Sequence, residues 1–260
     1  MAVNVKKFVV TGIEDLSLHV RRISFFRSDI ADFPSDIASG YIKFFFNTDG
    51  SPSANISDLK RAVKRAYTIR EIRLKDCEID LDFVVHLDAG PASKWARKVT
   101  LGEEIYGAGP GPKKLANDLS DWYVFLGDMS SLPAIAVNLK KLRRNANGFA
   151  FIQITSVDDK QVLNKPQGIS LRWIVNSDPK LTSELLMNNL RDLPLFNGQP
   201  YLWVAGEFDL MCAARKYLKK SRIFKKRYSY ISSYWKADAS QEGLRKAKLL
   251  QSLVSKFDIF

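Results

Sequence analysis

The chain has 260 residues, 46% of them hydrophobic, and carries 40 Lys and Arg against 28 Asp and Glu, a formal charge of +12. That length suits one large domain or two ordinary ones, and the apolar content is enough for a core, which excludes a chain dominated by disorder. The longest apolar runs are too short to span a bilayer, and the opening MAVNVKKFVVTGIEDL meets an acidic residue too soon for a signal-peptide core. We therefore expect a cytoplasmic protein whose positive charge answers an anionic partner: nucleic acid, acidic lipid, an acidic protein or a small anion.

In chain order, KKFVVTGIEDLSLHVRRISFF alternates polar with apolar residues, and GYIKFFFN and EIDLDFVVHL are rich in β-branched and aromatic side chains. Turn signals in NTDGSPSANISD and the polar RLKDCEID separate them, so the first hundred residues predict short strands of a small barrel or sandwich. Past the Gly/Pro-rich YGAGPGPKK the pattern changes. DWYVFLGD predicts a strand, and a helix starts near Leu132 and Pro133 and runs through AIAVNLKKLRRN. GFAFIQIT and GISLRWIV predict strands, KLTSELLMNNLRDL a helix, PYLWVAGE a strand and DLMCAARKYLKK a helix. Strands alternating with helices build a parallel sheet. The boundary is expected within 100–118, which gives a β-barrel domain at 1–115, an α/β domain at 116–260 and a ligand cleft between them. The closing QEGLRKAKLLQSLVSKFDIF predicts an amphipathic helix with Leu244, Leu249 or Leu250, and Leu253 inward, packed on the α/β domain. Phe257 and Phe260 could fold back toward the cleft.

The metal-binding residues are few. Cys77 and Cys212 are the only cysteines and His19 and His86 the only histidines. Two distant thiols cannot hold an iron–sulfur cluster or a four-cysteine zinc, and they read as small buried residues in a reducing compartment. Any metal handled here arrives with its own ligands.

In RAYTIR, residues 65–70, alternation puts Arg65, Tyr67 and Ile69 on one strand face and Ala66, Thr68 and Arg70 on the other. A guanidinium beside a phenol suits a ligand that is both planar and anionic. About twenty residues on, HLDAGPASKWA ends a strand near His86, turns at Gly90 and Pro91 and opens a short helix with Ala92, Ser93, Lys94 and Trp95. The amide groups at that opening, with the Ser93 hydroxyl, suit a pyrophosphate.

Together the two stretches resemble the flavin-binding signature of the siderophore-interacting proteins, a branch of the ferredoxin-reductase-like flavoenzymes. The likeness continues in YVFLGDMSSLPAIA, YLWVAGE and SYWK, over nearly the whole chain. It implies an antiparallel FAD-binding barrel followed by a parallel-sheet, NAD(P)H-binding-like α/β domain. It further implies that Arg65 binds the FAD pyrophosphate, Tyr67 lies against the isoalloxazine and Thr68 stands near its N5 edge, with Ile69 in the same run. His86 would lie along the ribityl or adenine part, and Gly90, Ala92 and Ser93 would hold phosphate. Trp95 would either stack on the cofactor or pack beneath its helix.

GDMSSLPA, from Gly127, occupies the turn where a dinucleotide domain keeps glycines, and the glycine fingerprint is missing. The family usually shows GDETALPA; here Gly127, Asp128, Leu132, Pro133 and Ala134 remain, with Met129, Ser130 and Ser131 between them. Gly127, Asp128, Ser130, Gly206 and Glu207 are the candidates for the electron-donor side. NADH or NADPH is one donor and reduced ferredoxin the other; the rival reading is a turn whose serines cap the helix.

The basic segment ARKYLKKSRIFKKRYSYISSYWK interleaves cations with aromatic residues, a composition that also suits single-stranded nucleic acid or simply a solvated helix face followed by a strand. In the family, basic groups near the flavin attract the anionic ferric chelate, which points to Lys236, Lys43 and Lys113 or Lys114. The resemblance thus implies a flavin-dependent ferric-siderophore reductase, monomeric, with no nucleic-acid or membrane partner. The alternatives are another FAD-dependent reductase of the superfamily and a basic nucleic-acid-binding protein.

Overall fold

The computed structural model describes residues 5–53, 55–85, 90–178, 181–237 and 241–257. Six strands, β1 (Val5–Ser17), β2 (Val20–Phe26), β3 (Tyr41–Phe46), β4 (Val63–Arg73), β5 (Glu78–Val84) and β6 (Glu104–Gly111), close into an antiparallel barrel in the order β1-β2-β5-β4-β3-β6. Alternate residues turn inward, as the pleat requires. Phe8, Ile23, Phe25, Ile42, Phe44, Ile79, Leu81 and Phe83 fill the interior and are wholly removed from solvent. The helix α1 (Pro91–Ala96) lies against β5 and drives Trp95 into the same core.

The closing strand β6 lies within the glycine-rich stretch expected to hold the domain boundary. Its glycines are there for room: a Cβ on Gly107 would stand 2.6 Å from the Phe8 ring and 2.9 Å from Phe44, and one on Gly111 would stand 2.2 Å from the Tyr41 ring. Propensity reads those glycines as a break, whereas the barrel uses them to seat aromatic rings against bare backbone.

The second half is a five-stranded parallel sheet in the order β11-β10-β7-β8-β9, from β7 (Trp122–Gly127), β8 (Asn147–Ile154), β9 (Ile169–Val175), β10 (Pro200–Glu207) and β11 (Ser229–Trp235). Every residue of β7 and β10 is buried, the mark of central strands covered on both faces. Helix α2 (Leu132–Lys141) covers one face; α3 (Thr182–Arg191) and α4 (Phe208–Lys220) cover the other. The last helix, α5 (Gln241–Phe257), seats Leu244 on Phe208 and Met211 of α4. Leu249 and Leu250 both face outward, each 63% exposed, so neither is the inward residue expected. The side chains of Leu253 and Phe257, and all of Phe260, lie outside the described residues. No described helix is long and apolar enough to cross a membrane.

Barrel and sheet are joined by charge as well as by chain. The Asp159 carboxylate, fully buried just after β8, accepts hydrogen bonds from the His19 amide (2.8 Å), the Ser17 hydroxyl (3.1 Å) and the Ser156 amide (3.0 Å), and meets His19 Nδ1 at 2.9 Å. Burial alone would raise this carboxyl, but the hydrogen bonds from His19 and Ser156 outweigh it and hold the group below its ordinary value.

Candidate functional site

Pairing of β3 with β4 sets Tyr41 opposite Thr68, Ile42 opposite Tyr67, Lys43 opposite Ala66 and Phe44 opposite Arg65. Opposed residues share a face. The run therefore splits as its alternation predicts, with Arg65, Tyr67 and Ile69 on the inner side and Thr68 beside Tyr41 on the outer. Ile69 is wholly core, and its amide donates to the Gly40 carbonyl (2.8 Å). The Tyr67 ring stacks on Phe83 with centroids 3.9 Å apart, and burial pushes its phenol well up, so it stays protonated. Near the start of β4, Arg65 donates to the Lys64 carbonyl (3.0 Å) and pairs with no carboxylate among the described residues. Burial lowers its guanidinium below the ordinary value despite the nearby Tyr67, a cost that a bound anion would relieve.

Arg65, Ala66 and Thr68 form one wall of a cavity of about 630 Å³ between the barrel, the edge strand β11 and helix α5. Five cations line it, Arg65, Lys114, Lys236, Arg245 and Lys248, and no carboxylate does among the described residues. Tyr41, Tyr230, Tyr234 and Trp235 supply aromatic surface. Lys114 stands 5.7 Å from the centre of the Tyr230 ring and Lys236 4.9 Å from that of Phe208. Burial lowers Lys248, whose ammonium donates to the Ser233 carbonyl at 2.6 Å. Burial also pushes the Tyr230 and Tyr234 phenols up, so both face the cavity as neutral groups. Ser233 is 2% exposed, and its hydroxyl has no hydrogen-bond partner among the described residues.

The turn between β7 and α2 is organised by Asp128. One of its oxygens accepts from the Ser130 amide (2.9 Å) and hydroxyl; the other accepts from the Glu207 amide (2.9 Å) and Trp235 Nε1 (2.8 Å). Burial still raises its carboxyl above the ordinary value against these four donors. A Cβ on Gly206 would stand 2.5 Å from that second oxygen, which is why β10 passes here as glycine. Glu207 turns its carboxylate onto the Asp209 and Ala237 amides and so caps α4. The serines do not cap α2: Ser131 donates its hydroxyl to the Asp128 carbonyl (2.9 Å), and Ser130 serves Asp128. Asp128, Ser130 and Glu207 thus meet in one knot of hydrogen bonds, with Gly206 packed against it and Gly127 leading into it, and none of the five lines the large cavity.

The other expected residues divide as follows. Gly90 lines the cavity, 3.7 Å from Arg65 measured from the Cβ it lacks. Ala92 and Ser93 are buried in α1, where the Ser93 and Lys94 amides already donate to the Gly90 carbonyl (3.1 and 3.2 Å). Trp95 packs beneath its helix, against Phe25, Phe46 and Phe83, with Nε1 donating to Glu103 (2.7 Å). Lys43 is exposed on the barrel wall, 5.4 Å from the centre of the Tyr41 ring, outside the cavity. Lys113 pairs with Asp36, and its neighbour Lys114 is the cavity lysine. His86 lies outside the described residues. Sequence reasoning missed Arg245 and Lys248. They follow buried Leu244 in α5, with Lys248 three residues from Arg245 and four from Leu244 and so next to both on the helix surface, and that spacing was the signal available.

These features suit a flavin dinucleotide. The volume lies in the range of ligand sites. A half-buried guanidinium without a carboxylate partner among the described residues meets the charge of a diphosphate, and the Ser233 hydroxyl, unpartnered among those residues, offers a polar contact to whatever fills the space.

Residues 9–114 match the model of the siderophore-interacting FAD-binding domain, and residues 120–238 that of the siderophore-interacting protein. The ferric vibriobactin reductase ViuB of Vibrio cholerae is 29% identical over 244 residues, covering 90% of this chain and 90% of its own. The crystal structure of the siderophore-interacting protein SipS from Aeromonas hydrophila superposes with a TM-score of 0.83 at 30% identity, over 95% of this chain and 97% of that one. Ferredoxin-NADP+ reductase from Plasmodium falciparum shares the fold, with a TM-score of 0.63 at 18% identity over 89% of this chain and 97% of that one. A closed barrel that matches the FAD-binding model, a sheet domain that matches its partner model and a relative alike from end to end agree: the chain belongs to the siderophore-interacting protein family.

Proposed function

We propose that the chain is an FAD-dependent ferric-siderophore reductase, which releases iron by reducing chelated Fe(III) to Fe(II). The observation that carries this is the cavity between the FAD-binding barrel and the sheet, lined by five cations and no carboxylate among the described residues. Siderophores grip iron through hard oxygen donors, and reduction weakens that grip. Bound FAD supplies the electrons, since a flavin accepts two and passes them on singly.

The protein's own part is to bind and to orient. Arg65 and Gly90, which line the cavity, would hold the diphosphate, with Ala92 and Ser93 behind Gly90 at the opening of α1 shaping that turn. Thr68 and Tyr41, side by side on the barrel wall, would border the ring, while Tyr67 braces that wall from within through Phe83. Lys236, Lys114 and the α5 pair Arg245 and Lys248 would draw in an anionic chelate, with Lys43 on the approach. Helix α5 gives Leu244, Arg245 and Lys248 to the outer wall of the cavity. We divide the molecule into an FAD half at 1–115 and an α/β half at 116–260. NADH, NADPH or reduced ferredoxin supplies the electrons, and the Asp128 knot keeps β10 and β11 in place on that side.

The test has two parts. Acid extraction of the purified protein should release one FAD per chain, and anaerobic incubation with a reductant and a ferric catecholate should deliver Fe(II) to a ferrous-specific chromophore. A flavin-free folded protein, or a flavin-loaded one that leaves the ferric chelate intact, would overturn the proposal.

A further inference from the structure

The cavity leaves most of the positive charge unused. Between Asp209 and Asp238 the chain carries nine Lys or Arg and no Asp or Glu. Only Lys236 of these lines the cavity. Seven crowd the corner where α4 ends and β11 begins, at 216, 219, 220, 222, 225, 226 and 227, and all seven are exposed. Lys216, Lys220, Arg222, Lys225, Lys226 and Arg227 have no carboxylate within 4.0 Å among the described residues. Lys and Arg elsewhere in the molecule do pair, as Arg22 with Asp82 and Arg73 with Asp80 show. Concentrating unpaired like charge on one corner costs stability, so an external anion is its natural counterpart.

The corner is also rigid. Phe224 is 2% exposed, wedged against Trp122 and Tyr217 with centroids 5.9 and 6.1 Å apart. The Ser221 hydroxyl accepts from the Ile223 and Phe224 amides (3.2 and 3.0 Å), and Gln199 donates to the Ile223 carbonyl (3.3 Å). The loop is thereby held with its cations outward and Ile223, 36% exposed, standing among them. The strand β11 separates the corner from Lys236: six steps from Ser229 to Trp235 span about 20 Å.

We propose that this corner docks on a phospholipid bilayer bearing anionic headgroups. Three features favour a lipid surface over other polyanions. Phe224 is in the core and Tyr230 lines the cavity, while Tyr228, half-buried, packs one side on the core of the sheet and carries Arg227 4.9 Å from its ring centre, so none of these three rings stands free as a stacking platform for bases. Its charge has a single sign, whereas a protein interface fixes register with paired charges and seats an aromatic anchor in a pocket. One exposed aliphatic side chain ringed by cations fits the boundary between headgroups and acyl chains. A peripheral contact of this kind revises the expectation of no membrane partner and needs no membrane-spanning helix.

The test uses the full chain in flotation with vesicles of phosphatidylcholine alone or with 30% phosphatidylglycerol. Binding is expected to the anionic vesicles only, and to fall steeply between 0.1 and 0.5 M salt as screening sets in. Each neutralised cation should weaken partitioning roughly fivefold, so the variant with Lys220, Arg222, Lys225 and Lys226 all changed to Gln should lose at least about 100-fold. Its thermal unfolding should come no earlier than that of the wild type, since like charges are removed, and its turnover with soluble chelate should stay unchanged. Lys236→Gln should leave vesicle binding intact. Absence of wild-type binding to the anionic vesicles, equal binding by the fourfold variant, an equal loss in Lys236→Gln, or retention of a single-stranded oligonucleotide at salt that releases the vesicles would each overturn the proposal.

Discussion

The indole of Trp235, at the end of the edge strand, donates to the buried Asp128 carboxylate at 2.8 Å and so ties β11 to the turn that opens α2. Lys236 follows directly, and its place in the cavity depends on that tie. The same carboxylate holds the Glu207 amide, so a single side chain fixes the tips of three strands.

Asp128→Asn should therefore be costly. An amide has one accepting oxygen where the carboxylate uses two, and its NH2 would face the Glu207 amide and Trp235 Nε1, donor against donor. We expect a loss of about 2–3 kcal/mol, read from chemical denaturation. A variant as stable as wild type would show that the knot is not structural.

The barrel–sheet latch predicts a pH dependence. Hydrogen bonds hold Asp159 below the ordinary carboxylate value, so its contribution is complete above about pH 4 and is lost as pH falls through its lower folded value. Asp159→Asn should be less stable than wild type by about 1–3 kcal/mol at pH 5. The gap should narrow toward pH 3. Denaturation midpoints of both proteins across that range check it; a gap that widens on acidification contradicts the sign.

Arg65→Gln should retain its fold and lose cofactor. Removing one charge-assisted contact to a diphosphate weakens binding by about 10- to 100-fold. Fluorescence titration of the flavin-stripped protein with FAD reads this directly, and unchanged affinity would remove Arg65 from the site.

Lys236→Gln and Arg245→Gln should each raise the chelate concentration needed for half-maximal rate by about three- to tenfold at low salt, with FAD content unchanged. A neutral ferric chelate should be nearly indifferent to both. Equal effects on charged and neutral chelates would show that these groups act otherwise than by charge.

How much of this was legible beforehand follows from what each feature depends on. The alternation of β4 and the strand–helix rhythm after residue 120 are local patterns, and they gave the barrel, the parallel sheet and the inner and outer faces of RAYTIR. Strand β6 was hidden because its glycines answer to Phe8, Phe44 and Tyr41, residues far off in sequence. Asp128 read as a donor-side residue because only the folded chain brings Trp235 and the Glu207 amide to its oxygens. His19 and Asp159 lie 140 positions apart, and no spacing rule joins them. For Trp95 the sequence allows stacking or packing, and only the folded chain brings its indole to Glu103, in the turn before β6.

The central claim is that the space between barrel and sheet brings a flavin and an anionic ferric chelate together, and anaerobic stopped-flow mixing tests it most directly. Protein loaded with FAD and reduced by light should regain its yellow absorbance on mixing with a ferric tris-catecholate, in step with the appearance of Fe(II) and more slowly as salt rises. Reoxidation that needs oxygen, or that yields no Fe(II), would contradict the account.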